Sequence, residues 1–257
     1  MTGIDAVVLA GSINDGKLKK LSNENYEALV EIACRPMVSY VVDTLRQSHL
    51  INRIAIAGPI EEMYGLYGNV ENIIIVPAGR TPIESCLNAL EVLKPSNNVL
   101  VATSDIPLLT PNSLAHFIKQ CSRQQADVYY PVVPKEANER LYPGAKRTYI
   151  KFREGTFTGG NLFMINPQVV KSCAGKAESF VEKRKSPLAL ARLVGWSFLL
   201  KFLLRSLTLK EAEAKVSNIF GIKGAVIISP YPEVGIDVDK PGDLLLVREK
   251  LAKKAQL

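Results

Sequence analysis

Two stretches of this chain, Ile4-Asp-Ala-Val-Val-Leu-Ala-Gly11 and Val99-Leu-Val-Ala-Thr-Ser-Asp105-Ile-Pro-Leu-Leu109, are nearly continuous apolar runs, each stopped by a turn residue. A strand reads this way when it is covered on both faces, which is the condition of a parallel sheet held between two layers of helices. The second run also delivers a single carboxylate to its carboxyl end before a proline stops the strand. In open α/β sheets that end faces the ligand crevice. Asp and Pro also suit an ordinary strand-end turn, so weight comes from a third segment, Gly235-Ile-Asp237-Val-Asp239-Lys-Pro-Gly-Asp-Leu244. It brings two more acids just ahead of a proline able to start a helix.

Strand and helix patterns alternate along the rest of the chain, as a parallel sheet with helices on both faces requires. Strands are predicted at 4–10, 28–32, 53–58, 72–76, 98–103, 127–133 and 225–229, and helices at 36–47, 82–93, 111–124, 166–173 and 241–254. Thr81-Pro82 and Thr110-Pro111 each place a capping hydroxyl before a first-turn proline, and Glu84 completes a capping box with Thr81. The segments 148–153 and 156–165 read as strands packed across the end of the sheet, with Gly159-Gly160 allowing a ligand or backbone to come close. The chain is read as one domain over 1–257 with a helical insertion at 176–218.

The turn after the first strand presents backbone N–H groups, a concavity that suits phosphate. It lacks the full G-x-x-x-x-G-K-[ST] of a Walker loop, and Gly11 and Gly16 do not make the G-x-G-x-x-G of a dinucleotide fingerprint. The loop from Leu9 to Lys20 reads instead as long, mobile and lysine-rich.

Leu9-Ala10-Gly11, the run Ala28 to Val42, Thr103-Ser-Asp105-Ile-Pro, Thr158-Gly-Gly-Asn161 and Asp237-Val-Asp239-Lys-Pro-Gly-Asp occur in the order found in the nucleotidyltransferase superfamily. The chain resembles its molybdenum-cofactor guanylyltransferase-like and sugar-phosphate nucleotidyltransferase members over residues 1 to about 165 and 225 to 245. The resemblance implies a three-layer, Rossmann-like, mostly parallel α/β sheet of the nucleotide-diphospho-sugar transferase type. It implies an enzyme that uses Mg2+ to join a nucleoside monophosphate from an NTP to a phosphorylated small molecule, a sugar, alditol or cofactor phosphate, releasing pyrophosphate. Leu9, Ala10, Gly11, Ser12 and Ser104 then lie at the nucleotide, and Asp105 holds metal with Asp239 or Asp237. Gly79 and Thr81 sit at the base, where Thr81 either hydrogen-bonds the base or only caps its helix. Gly159, Gly160 and Asn161 meet the acceptor, whose phosphate Lys151 and Arg153 could hold.

Two positions depart from the family pattern. The glycine loop lacks the family's triphosphate-binding Arg, and Glu27 stands where a Lys is expected. Lys17, Lys19 or Lys20 could supply the positive charge, as point charges without the bidentate fork of arginine. The catalytic set is therefore read as Lys17, Lys20 and Asp105. Alternatives are a glycosyltransferase of related fold using a nucleotide-sugar donor, against which the lone acid of Ser104-Asp105-Ile106-Pro107 counts, and a nucleotide-binding protein that has lost catalysis.

Composition sets outer bounds. With 257 residues, 47% apolar and 22% charged, the chain has ample material for a core and no signature of disorder. A formal charge of +7 points to anionic ligands, yet the basic residues are scattered, so nucleic acid is not expected as a partner. Cys34, Cys86, Cys121 and Cys173 match no metal-ligand spacing and are expected to be free thiols. His49 and His116 sit in predicted helices with no nucleophile motif around them. The opening residues show no signal-peptide pattern, and a cytoplasmic protein is expected. The stretch 187–209 is apolar nearly all round and too charged for a span. It is read as a packing helix between subunits or domains, or as an interfacial helix peripheral to a membrane with Trp196 at the boundary.

Overall fold

A computed structural model of the chain describes residues 3–183 and 195–254. Nine strands form one sheet, in the order β5-β4-β1-β6-β10-β7-β9-β8, with β11 pairing on β7. One half is wholly parallel: β1 (Ile4–Leu9), β4 (Ile51–Gly58), β5 (Ile73–Pro77) and β6 (Val99–Thr103). The other half is mixed. β10 (Leu162–Ile165) runs antiparallel to both β6 and β7 (Val128–Pro134), and β11 (Gly224–Ile228) is parallel to β7. β8 (Ile150–Phe152) and β9 (Gly155–Gly159) complete that side.

The apolar runs split their residues between two cores with the period of two that a strand imposes. Ala6 and Val8, Ile54 and Ile56, and Leu100 and Ala102 face one side, with α1 (Met37–Arg46), α2 (Ile60–Tyr67) and α4 (Pro111–Cys121) packed there through Val41, Met63 and Phe117. Val7, Ala55, Ala57, Val99 and Val101 face the other, against α3 (Pro82–Leu93) and Val170 of α6 (Pro167–Lys183). This is the predicted three-layer architecture. Both capped starts form: Thr81 accepts from Glu84 N at 3.0 Å, and Thr110 accepts from Ser113 N at 3.2 Å. The full capping box is at Thr110 and Ser113, whereas the Glu84 carboxylate accepts from Arg80 N instead of closing the expected box with Thr81.

Differences lie mainly at short elements. The strand expected at 28–32 is a 3-10 turn, Glu27–Leu29, followed by a hairpin of β2 (Glu31–Ile32) and β3 (Arg35–Pro36). Ala33 and Cys34 both have positive φ, 49° and 61°, the conformation of a two-residue hairpin turn normally signalled by Gly or Asn. The helix expected at 166–173 runs on to Lys183. Two further helices, α2 and α5 (Lys135–Leu141), are not among those expected, and α8 (Leu209–Phe220), which opens on a Thr208–Glu211 capping box, begins within the expected helical insertion and runs past its end. His49 falls in the turn after α1, and His116 within α4. Of the apolar stretch 187–209, residues 187–194 lie outside the described residues, and Trp196–Leu203 is α7. Leu200, Leu203 and Leu204 are more than half exposed there. Among the described residues no helix is long and apolar enough to cross a membrane.

A third apolar cluster joins the two ends of the chain. Leu18, Val30, Ile32 and Met37 pack with Ile236, Val238 and, from α9 (Pro241–Lys254), Leu244 and Val247. It fixes the closing segment beside the first loop, at the carboxyl ends of β1 and β6.

Candidate active site

β1 and β6 are hydrogen-bonded neighbours with Leu9 opposite Thr103, so the Gly11 turn and Asp105 leave the sheet side by side. Ser104 N donates to Leu9 O at 3.1 Å and locks the two exits together. The closing segment meets them there, because Val238 N donates to Asp105 O at 2.9 Å. Ile236 and Val238 are buried in the third cluster. In extended chain their intervening neighbours point the other way, and Asp237 and Asp239 consequently face Asp105. Oxygens of the three carboxylates all lie within 4.8 Å of one another.

The electrostatics of this cluster are those of acids forced together. Burial pushes the Asp105 carboxyl up to about 6; the Thr103 hydroxyl, which donates to Asp105 Oδ1 at 2.5 Å, opposes the shift, and Asp239 and Glu27 add to it. The Asn161 amide reaches the same Asp105 oxygen at 3.4 Å. Glu27 is raised as well, by partial burial and by Asp239 and Asp15, against a 2.7 Å hydrogen bond from the Ser12 hydroxyl. Among the described residues one cation pairs with the cluster: Arg147, from the loop between α5 and β8, forms an ion pair with Asp237, both being less than a sixth exposed.

Oxygen-only donors of this kind fit a hard cation such as Mg2+, which takes one or two carboxylates and keeps several waters. Asp105 and Asp239 are the free donors of the set, since Asp237 is already engaged by Arg147.

The glycines have steric reasons. A Cβ on Gly11 would lie 2.3 Å from the Ala78 Cβ, and one on Gly79 would lie 2.5 Å from Glu84 side-chain atoms. Gly159 and Gly160 sit against Tyr130, Pro131 and the Val234 carbonyl, where a side chain would collide. Asn161 N donates to Val234 O at 2.7 Å. The loop Thr158 to Asn161 is thus clamped to the closing segment and aims Asn161 at Asp105. The Thr81 hydroxyl caps α3 and donates to Glu178 Oε1 at 3.0 Å, so capping accounts for it.

The first loop is more firmly held than its composition suggests. Asn14 is buried, its backbone N–H donating to Asn25 O and its amide to Glu24 O, and Leu18 is fully buried. Lys17 and Lys20 remain exposed, while Lys19 is tied to the carbonyls of Asn23 and Glu24. A cavity of about 640 Å³ opens beside Asn14, Lys19, Tyr26 and Glu62, and none of the three aspartates lines it. Lys151 lies exposed on β8 and Arg153 just beyond it, at the outer end of the sheet path, away from the sheet centre where the aspartates gather. Sequence reasoning missed Arg147; its only signal was the basic pair Lys146-Arg147 in a loop opened by Pro143-Gly144.

Comparison with known proteins bears on the family and the fold. The model of the MobA-like NTP transferase domain matches residues 6–192. A hypothetical transferase from Thermus thermophilus shares 39% identity over 95% of this chain and 100% of its own, with a TM-score of 0.82. CMP:2-keto-3-deoxy-manno-octonic acid synthetase complexed with CTP superposes with a TM-score of 0.62 at 11% identity, covering 99% of this chain and 100% of that one. For 4-diphosphocytidyl-2C-methyl-D-erythritol synthase from Anaerococcus prevotii the TM-score is 0.58 at 11% identity, over 97% and 98% of the two chains. Comparison with curated proteins finds no match.

Proposed function

We propose that this chain, which belongs to the MobA-like NTP transferase domain family and is a nucleotidyltransferase, transfers a nucleoside monophosphate from an NTP to a phosphorylated small molecule and releases pyrophosphate. The observation that carries the reading is the convergence of Asp105, Asp237 and Asp239 beside the Gly11 turn. Asp105 and Asp239 would hold Mg2+, which supplies charge neutralisation on the triphosphate when bound.

The chain's own groups do the rest. Backbone N–H groups of the Gly11 turn cradle phosphate oxygens. Asn161 orients Asp105 and lies where the acceptor approaches, on a loop that Gly159 and Gly160 let pack closely against Tyr130, Pro131 and the Val234 carbonyl. An acceptor phosphate is already ionised, so in-line attack on the α-phosphorus needs no general base. The arrangement fits that economy: the partners of Asp105 and Asp237 are Thr103, Asn161 and Arg147, while His116 pairs with Gln120 and Tyr231. The same reading takes residues 1–257 as one domain, with 176–218 as a helical insertion.

The test is a panel of NTPs with Mg2+ and phosphorylated sugars and alditols, scored by pyrophosphate release and by thermal stabilisation. Acceptor-dependent pyrophosphate from one NTP is expected. Consumption of a nucleotide-sugar without pyrophosphate would instead establish the glycosyltransferase alternative.

A further inference from the structure

Phosphate chemistry needs a positive group, and the first loop supplies it poorly. Lys17 and Lys20 are exposed, Lys19 is tied to carbonyls, and Glu27 adds a carboxylate. Arg147 has the opposite character. Its guanidinium is mostly buried, it touches Asp237 directly, and its Nε is fully buried with no hydrogen-bond acceptor. An arginine has five N–H donors in a planar fork, so the ion pair with Asp237 leaves donor capacity at the cluster unused.

The loop that carries Arg147 is fixed in place. Tyr142 and Ala145 pack against the third apolar cluster, next to Ile236 and Val238. Lys250 donates to Leu141 O at 2.9 Å and lies over the Tyr142 ring at 5.2 Å. Lys240 reaches across from the closing segment to Lys146 O at 3.3 Å. A side chain held so closely loses little further freedom when it binds a ligand.

We propose that Arg147 is a phosphate-binding residue of the active site, and that without substrate its partner Asp237 takes the place the phosphate will occupy. The inference rests on the nucleotidyltransferase reading. Phosphate oxygens match the fork bidentately, as a carboxylate does. The bound anion therefore competes with Asp237 for the same donors, and Asp237 is released toward the metal donors Asp105 and Asp239. One residue would then serve two states: pairing off the third acid of the site before substrate arrives, and neutralising substrate charge afterwards. The phosphate can belong to the donor's triphosphate or to the acceptor, and two probes separate these sources. Pyrophosphate stands for the triphosphate side and inorganic phosphate for a monoester.

The experiment measures binding to the full chain by thermal shift, for Mn2+ alone and for each phosphate probe in EDTA. Arg147→Gln should weaken binding of the relevant probe by roughly 10-fold or more, the loss expected for one charge-assisted bidentate contact. The same variant should bind Mn2+ more tightly than wild type, because Asp237 is freed. Loss confined to pyrophosphate assigns Arg147 to the donor, and loss confined to phosphate assigns it to the acceptor.

Unchanged binding of both probes in a folded Arg147→Gln protein overturns the proposal, as does weaker Mn2+ binding. Should that variant not fold, Asp237→Asn decides: it keeps the guanidinium and removes its competitor, so a probe must bind at least about 3-fold more tightly, and equal or weaker binding of both overturns the idea. Wild-type protein that binds no NTP, pyrophosphate or phosphate would defeat the underlying functional reading instead, a result distinct from wild-type binding that the variants leave unaltered.

Discussion

The crevice has two walls of opposite construction. The wall formed by the first loop, residues 11 to 27, shows the solvent its charges: Lys17 and Lys20 are exposed, and Glu27 is only half-buried. The wall formed by Asp105 and the closing segment keeps its charges close together, with Asp105, Asp237 and Arg147 largely withdrawn from water and Asp239 at the solvent edge. Charges in water are screened and individually weak, whereas charges held at low dielectric interact strongly and cannot relax away. The comparison teaches that the inner wall should set turnover and metal dependence, and the outer wall only affinity and salt dependence. Four substitutions, ordered by expected effect, can break or sharpen that division.

The largest effect belongs to Asp105→Asn. Removing a metal-holding carboxylate should lower turnover by at least about 10²-fold, the scale of losing one group that stabilises transition-state charge. The metal-free protein should become more stable at neutral pH. The Asp105 carboxyl is raised from 3.8 to about 6 in the fold, so between those values the unfolded chain is ionised while the folded one still holds its proton. Stability in EDTA therefore falls as pH rises from about 4 to 6 and stays low above that. The substitution removes this penalty, on the order of 3 kcal/mol or a Tm rise of roughly 5 to 10 °C at pH 7. Pyrophosphate assays and melting curves across pH check both halves. A variant that is active, or melts lower than wild type in EDTA at pH 7, would break the division at its centre.

Next comes Asn161→Ala, also on the inner wall. The amide touches the same Asp105 oxygen that Thr103 holds. A partner that orients a metal ligand is worth roughly 10-fold or more in metal affinity. The Mg2+ concentration for half-maximal activity should rise by about that factor, and the acceptor KM should rise more than the NTP KM. If only the NTP KM moves, Asn161 serves the donor and the inner wall is not a single unit.

How much of this could be read from residues alone follows from the same contrast. The parallel half of the sheet was legible because a strand buried on both faces leaves an uninterrupted apolar run, and Pro-started, Thr-capped helices announce their first turns. The meeting of the acids was legible because Asp105 ends a buried strand run and Asp237 and Asp239 stand just ahead of a helix-starting proline, in the order of the family's motifs. Helix α2 was not, since Ile60–Tyr67 carries Gly65 and two aromatics at helix-neutral positions and is held by Met63 and Tyr67 packing on the sheet. The hairpin at Ala33-Cys34 was hidden because neither residue is the usual occupant of a positive-φ turn. Arg147 was beyond reach for a different reason: its partner is 90 residues away, and tertiary contacts, the third apolar cluster and the Lys240 bond to Lys146 O, bring their loops together.

On the outer wall, Glu27→Gln should improve binding. Glu27 lies among Ser12, Asp15 and Asp239, and burial and both aspartates raise its carboxyl. At neutral pH the ionised side chain repels an incoming triphosphate. The amide keeps the hydrogen bond to the Ser12 hydroxyl and removes the charge, so the NTP KM should fall by about 3- to 10-fold with turnover nearly unchanged, as expected for one partly screened like charge. A steady-state comparison at fixed Mg2+ decides. A fall in turnover of 10-fold or more would move Glu27 to the inner wall as a further metal donor.

The smallest effect is expected from the double substitution Lys17→Ala and Lys20→Ala. Both side chains are exposed at a 3-10 turn whose one buried anchor is Leu18, so the loop should keep its fold without them. Exposed ammonium groups gain little from a nearby anion, roughly 0 to 1 kcal/mol each; the middle of that range, about 1 kcal/mol for the pair, raises the NTP KM by about 5-fold. The diagnostic is ionic strength. Screening weakens exposed charges first, so wild type and variant should converge in KM as salt is raised from about 0.05 to 0.5 M, whereas an Arg147 variant should stay apart from wild type across the same range. Convergence places the loop lysines in a diffuse attracting field. A large, salt-independent loss of turnover in the double variant would mean that Lys17 or Lys20 leaves the solvent to meet phosphate directly, and the exposed wall would then carry the chemistry assigned here to the buried one.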